Sequence, residues 1–215
     1  PTHEAQHGNI GRPGSKLRWL NELVGHLSAA PWLFPYRLHR AIHLKHHANT
    51  NDDQKDPDIY IRADNIWQAA YLAWLSNQPG RSNGIQDGVL DEHPDKGKLM
   101  LEAMVIQTSG WIAIAALCWS GLALEVLMIW WIPRVISRIY TPVTLSWAPH
   151  HPMREMGRYR DTRGWKSPVG TILSSGMEYH LVHHLFPSIP LNKTPAAYRE
   201  LKPLLDAEGV VLNDL

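Results

Sequence analysis

Cysteine is nearly absent from this 215-residue chain, Cys118 being the only one. That excludes a disulfide framework, a Cys-rich zinc module and an iron–sulfur cluster of the chain's own. A net charge of +1 gives no electrostatic case for a nucleic-acid partner. No Gly-rich phosphate loop or dinucleotide fingerprint is present, so electrons for any redox chemistry must come from a separate carrier. Also missing are an initiator Met and a signal-peptide pattern, while the first recognisable motif begins at His3. The chain therefore reads as an N-terminally truncated fragment.

Two residue types are in excess. The 13 His outnumber Cys, Met and Phe together, and histidine is the commonest metal-ligating side chain. The 10 Trp point to a membrane–water interface. A mean hydropathy of -0.27 hides a segregation of the apolar residues into one stretch. From Leu99 to Trp119 the chain is apolar apart from Glu102, Gln107 and a few small residues, long enough for a membrane span. Ser120-Gly121 breaks it, and a second apolar run passes Pro133, Arg134 and Arg138 before ending near Trp147.

The pattern predicts a transmembrane hairpin over about 99–147 in an all-α, integral-membrane protein of one domain, residues 1–215. Lys96 and Lys98 precede the first span, and Arg134, Arg138, Arg154 and Arg158 lie at or beyond the end of the second. The connecting turn carries no Lys or Arg, so both open ends are expected in the cytoplasm. A buried hairpin of a soluble protein is the alternative, but soluble helices of this length rarely carry so little charge.

Ser15–Leu27 places Leu17, Leu20, Val24 and Leu27 on one helical face and reads as an interfacial helix. Residues 77–97 read as a loop between an aromatic segment around Trp67–Trp74 and the first span. Thr194-Pro195 reads as a helix start with Thr as N-cap, and Gly209 as its stop.

The chemistry lies in three clusters: His3 and His7 in HEAQH, His43, His46 and His47 in HLKHH, and His180, His183 and His184 in HLVHH. On a helix, positions i, i+3 and i+4 share a face, so each cluster can aim its imidazoles at one point. Eight nitrogen ligands exceed the needs of one ion, and a second metal is the economical explanation. HEAQH also matches the zinc-protease helix, with Glu4 as base, but a protease site would leave both H-x-x-H-H clusters unexplained. Glu4 is then a partner that orients a ligand imidazole. A haem-binding bundle with axial His from the spans is a weaker rival, because the spans Leu99–Trp147 contain no His. A protein that only binds or transports metal is a third class.

These boxes, with a membrane hairpin between the second and third, resemble the membrane fatty acid desaturase and hydroxylase superfamily along nearly the whole chain. Within it the chain is most similar to β-carotene hydroxylases of the cyanobacterial type, through NELVGH (Asn21–His26), HLKHHANTNDDQKDPD (His43–Asp58), the Pro149-His150 pair and YHLVHHLFPSIP (Tyr179–Pro190). The resemblance implies a cytoplasmic helical cap that carries the boxes, two non-haem irons, O2 as co-substrate and a ferredoxin-like or other small electron carrier. It carries the eight box histidines over as iron ligands and adds a ninth just after the hairpin, either His150 or His151. His150 fits better. His39, His26 and His93 fall outside the pattern.

The resemblance also implies another membrane hairpin before the first box, in keeping with truncation. The usual aromatic after the last box is replaced by Leu191-Asn192. The function expected is O2-dependent modification of a lipid-soluble substrate, with β-carotene ring hydroxylation ahead of fatty acyl desaturation at the same kind of site. Arg154, Arg158, Arg160 and Arg163 offer a basic face for the electron carrier or for lipid headgroups. One of Asp52, Asp53, Asp56 and Asp58 is expected to hydrogen-bond a ligand imidazole, with the others facing solvent.

Overall fold

The structure, a computed structural model, describes residues 1–78, 88, 91–165, 170–174, 176–210 and 212–213. It is predominantly helical. The principal helices are α1 (Thr2–Gln6), α2 (Trp19–Ala29), α3 (Tyr36–Asn49), α4 (Ile66–Leu75), α5 (Lys96–Leu117), α6 (Ile132–Thr141), α7 (His180–Leu185) and α8 (Thr194–Ala207). Among the described residues the strands are only β1 (Gly164–Trp165) and β2 (Leu212–Asn213), paired in parallel. The chain divides into two compact units. The first comprises Pro1–Leu44 and Gln86–Ile139, and the second Lys45–Ile85 and Tyr140–Leu215.

In the first unit, α5 ends at a break where Gly121 takes φ +94, a backbone conformation that side-chain-bearing residues avoid. Beyond it the chain turns back, because Trp111 and Trp130 place their ring centroids 5.7 Å apart. A straight helix would separate those residues by roughly 28 Å. Pro133, Pro142 and Pro149 each remove a backbone donor, and the helical path is carried past them with wide π-type turns at Val126–Trp131 and Pro142–Trp147.

The helical stretch Lys96–His150 is long and apolar enough to cross a membrane, and none of its most apolar window is buried. Trp119 at the turn is 94% exposed and Ile129 76%. Such a surface is of the kind that hydrocarbon accommodates. The polar interruptions have partners. Glu102 accepts from the backbone N–H and the guanidinium of Arg37, and Gln107 donates to the Leu33 carbonyl. With Trp130 donating to Pro31 O and Arg134 to Trp32 O, three successive carbonyls after α2 receive side chains from this stretch.

Helix α2 starts at Trp19, later than Ser15, and its protein-facing side is a stripe of small and polar residues beside the leucines. Leu17 and Leu27 are exposed, whereas Asn21, Gly25 and Ala29, spaced i, i+4, i+8, are buried. The reason is close approach: the Tyr36 ring lies on Gly25, where a Cβ would come within 2.3 Å of ring carbons. Asn21 fastens the loop before α2, accepting from the N–H groups of Ile10 and Gly11 and donating to the carbonyls of Gly11 and Arg18. The small residues turn inward and leave Leu17, Leu23 and Leu27 outward.

In the second unit, Leu181, Val182 and Leu185 of α7 pack with Tyr198 and Leu205 of α8 into a core. Thr194 is the first residue of α8 rather than its cap. Its Oγ1 donates back to Leu191 O, and the position before the helix, Lys193, makes no side-chain cap hydrogen bond. The helix continues through Pro203 and stops at Gly209, φ +65, as expected. Of the predicted 77–97 loop, residues 79–87 and 89–90 lie outside the described set, and Lys96 and Gly97 already belong to α5.

Candidate metal centre

Each histidine box is carried by a helix or its end. On α7, Leu181, Val182 and Leu185 go into the core, which leaves His180, His183 and His184 on the other side. Helix α3 carries His43 in the first unit and His46 and His47 in the second. Helix α1 carries His3, with His7 just past its end, and is seated on α2 through buried Ala5 and a 2.7 Å bond between Thr2 Oγ1 and Ser28 Oγ.

In the first unit His3, His7 and His43 converge, with ring centroids 4.7 to 4.9 Å apart and Nε2 of His7 2.7 Å from Nε2 of His43. Burial, helped by nearby His3 and Arg40, pushes His7 down to about 3, so its imidazole is neutral and has a lone pair to give. Glu4 lies 3.8 Å from His3 Nδ1, an ion-pair distance too long for a hydrogen bond.

In the second unit His46, His150, His180 and His184 each offer a nitrogen, all within 4.8 Å of one another. His183 and His47 face each other with Nε2 atoms 3.0 Å apart. His150 therefore joins the box residues, while His151 is stacked on Trp147 instead. His39 packs at a tilt against Phe34 and His26 meets Tyr36 edge to face, and neither joins a cluster.

The hydrogen bonds of the four-imidazole group fix which nitrogens face inward. His46 Nδ1 lies 2.7 Å from Asp56 Oδ1, and His150 Nδ1 lies 2.9 Å from the carbonyl of Asp161. A carbonyl accepts only, so His150 Nδ1 donates and its Nε2 carries a lone pair, 3.2 Å from Nε2 of His46. Burial opposes charge at the His46–Asp56 pair. The acids around His46, Asp58 and Asp56 foremost, nonetheless hold it above the usual imidazole range, and contact with His46 holds Asp56 below the usual carboxylate range.

One proton between His46 and His150 would satisfy those two nitrogens but no others. His184 Nε2 remains, buried and with no hydrogen-bond partner among the described residues. Burial and the neighbouring imidazoles hold His184 well below its ordinary value, so it stays neutral. A cation at the centre answers all four nitrogens at once. Imidazole ligands bind first-row divalent ions at about 2.1 Å, which puts adjacent nitrogens roughly 3.0 to 3.4 Å apart. The 3.0 and 3.2 Å pairs have that spacing, and the donor set fits a transition metal.

Asp56 is the acidic residue that contacts an imidazole, as expected. Asp53 is exposed, while Asp52 and Asp58 are half-buried. Sequence reasoning missed Thr50, whose Oγ1 lies 3.4 Å from His184 Nδ1, Met177, whose sulfur lies 3.0 Å from His180 Nδ1, and the Asp161 carbonyl. An open cleft of about 580 Å3, lined by His47, Thr50, Arg158, Asp161 and His184, reaches the group. The four arginines divide: Arg154 pairs with Asp64 and Arg160 with Glu155, whereas Arg158 and Arg163 donate to the carbonyls of Leu185 and Ala148.

The sequence model of the fatty acid desaturase family matches residues 1–215. The chain is 25% identical to the sn-1 oleoyl-lipid 12-desaturase of Synechocystis sp., over 93% of this chain and 63% of that protein. It is 24% identical to the sn-1 acyl-lipid omega-3 desaturase (ferredoxin) of Nostoc sp., over 94% of this chain and 63% of that protein. A chloroplastic omega-3 fatty acid desaturase of Ricinus communis is 25% identical, over 94% of this chain and 50% of the relative. The chain thus spans less than two thirds of the length of these relatives. No solved structure matches it.

Proposed function

The chain belongs to the fatty acid desaturase family, and from that premise we propose that it carries the metal centre of a membrane oxidoreductase that introduces a double bond into an acyl chain of a membrane lipid. The observation that carries the proposal is the convergence of imidazole nitrogens from separate helices within metal-binding distance of one another, in a chain that also has a helical stretch whose apolar surface faces outward. His3, His7, His43, His46, His47, His150, His180, His183 and His184 are the ligands we assign to two non-haem irons. Iron held by imidazole supplies the reduction of O2 and the oxidant for an unactivated C–H bond, which zinc cannot do. The chain's part is to present imidazole nitrogens, to fix their ring orientation through Asp56 and the Asp161 carbonyl, and to keep bulk water from the buried side of the group.

Acyl desaturation replaces carotenoid ring hydroxylation as the leading activity because the relatives are desaturases by name, and none of those reported acts by name on a carotenoid. Family membership likewise displaces the zinc-protease alternative. Electrons are assigned to a ferredoxin-like carrier, in line with the Nostoc relative's name. Arg158, at the cleft and without a carboxylate within 4 Å among the described residues, is the cation we assign to its docking. The Lys and Arg flanking the hairpin favour a cytoplasmic site.

The test is expression in a bacterial host that accumulates β-carotene and lacks polyunsaturated lipids, with acyl chains and pigments from one culture analysed by mass spectrometry. New acyl double bonds, lost in His184→Ala, are expected. Oxygenated carotenoid with unchanged acyl chains would overturn desaturation in favour of hydroxylation, and no change in either would overturn both.

A further inference from the structure

The hydrogen bonds around His46 and His150 form a ring that closes through one residue outside every histidine box. Asn51 is buried and takes φ +65. Its backbone N–H donates to Asp56 Oδ2 at 2.8 Å, and its Nδ2 donates to the carbonyls of Asp161 and Glu155, each at 3.0 Å. Asp56 Oδ1 in turn holds His46, and the Asp161 carbonyl holds His150. Asn51 thus grips both acceptors that orient two imidazoles 104 residues apart in sequence.

We infer that Asn51 is the positioning residue of the four-imidazole group, setting the distance between His46 Nε2 and His150 Nε2 by tying together the acceptors behind them. This rests on the ligand assignment proposed above. The choice of residue follows from chemistry. The left-handed backbone conformation admits Gly, Asn and Asp most readily. Of these, only Asn carries an NH2 whose two hydrogens can serve two carbonyls. Aspartate would set a carboxylate against the same two carbonyls, and glycine would leave them unserved. The Asn51 carbonyl accepts from Arg62, which holds the turn from its other side.

Asn51→Gly isolates the effect, because glycine accepts the backbone angles and keeps the N–H bond to Asp56, so only the side-chain donors are lost. The probe is Co2+, titrated into metal-free full-length protein and followed by its visible ligand-field absorption, with the melting temperature of the metal-free protein measured alongside. We expect one of the bound ions to weaken by about 10–100-fold, as for other residues that orient metal ligands, with an altered absorption band. The second ion is expected to stay as in the wild type.

A purely structural role would lower the metal-free melting temperature and leave affinity and band position of the folded protein unchanged, which overturns the inference. If Asn51→Gly does not fold, Asn51→Asp keeps the volume and the backbone preference, and wild-type Co2+ affinity and band in that variant overturn it equally. A wild-type protein that binds no Co2+ overturns the ligand assignment itself and this inference with it. Two bound ions in the wild type with an unaltered pair in the variant overturn only the role of Asn51.

Discussion

The imidazoles of the first unit and those of the second are written almost alike in the sequence, yet they are held in place by different means. His3 and His7 depend on how a five-residue helix sits against α2, through Ala5, Thr2 and the glycine that admits Tyr36. His46 and His150 depend on side-chain and carbonyl acceptors, with Asp56, Asp161 and Asn51 bonded to one another. Packing fixes where a helix axis lies. A hydrogen bond to Nδ1 fixes ring rotation and tautomer as well. The difference predicts that the first set fails when its backbone shifts and the second when a polar partner is lost.

The largest effect comes from removing a ligand from either set. His184→Ala and His7→Ala should each abolish lipid desaturation and lower bound iron from about two to about one per chain, measured by elemental analysis. Equal losses would show that the sets contribute alike to the chemistry despite their different supports. Retention of activity in either variant would remove that set from the site.

Asp56→Asn sharpens the contrast. The amide can still accept from His46 Nδ1, but the negative charge is gone, and a metal affinity about 10–100-fold weaker is expected for one ion. Gly25→Ala is the matching test of the first unit, since a Cβ there meets the Tyr36 ring at 2.3 Å. Overpacking of that kind costs about 1–3 kcal/mol, read as a lower thermal midpoint. Affinity at the second set should not move in Gly25→Ala. A change there would erase the distinction between the two supports.

How much of this was legible in the sequence follows the same division. Helical periodicity displays box histidines directly, and it separates His180, His183 and His184 from the apolar Leu181, Val182 and Leu185. The hairpin was legible because a long apolar run interrupted by Ser120-Gly121 has few other solutions. The protein-facing side of α2 was not. Asn21, Gly25 and Ala29 give little periodic apolar signal, and only contact with the Tyr36 ring shows why a residue without a side chain stands at Gly25. Asn51 was hidden too, since its role depends on the carbonyls of Glu155 and Asp161, more than a hundred positions away. The available signal was an Asn in the polar run after the second box, a residue suited to a left-handed turn.

The smallest effect is expected where a charge network of the first unit is set against that of the second. Arg37 donates to Glu22 of α2 at 2.8 Å and to Glu102 of α5 at 3.3 Å, joining helices as Asp56 joins His46 to its turn. The Arg37 side chain is 54% exposed, however, against 5% and 4% for the His46–Asp56 pair. Water and salt compete for an exposed guanidinium, so Arg37→Ala should cost about 0.2–1 kcal/mol, and less as salt is added. Thermal melts at two ionic strengths measure it. A salt-insensitive loss of about 3 kcal/mol or more would be that of a buried pair, and would mean that lipid around the first turns of α5 removes the water that the free protein surface admits.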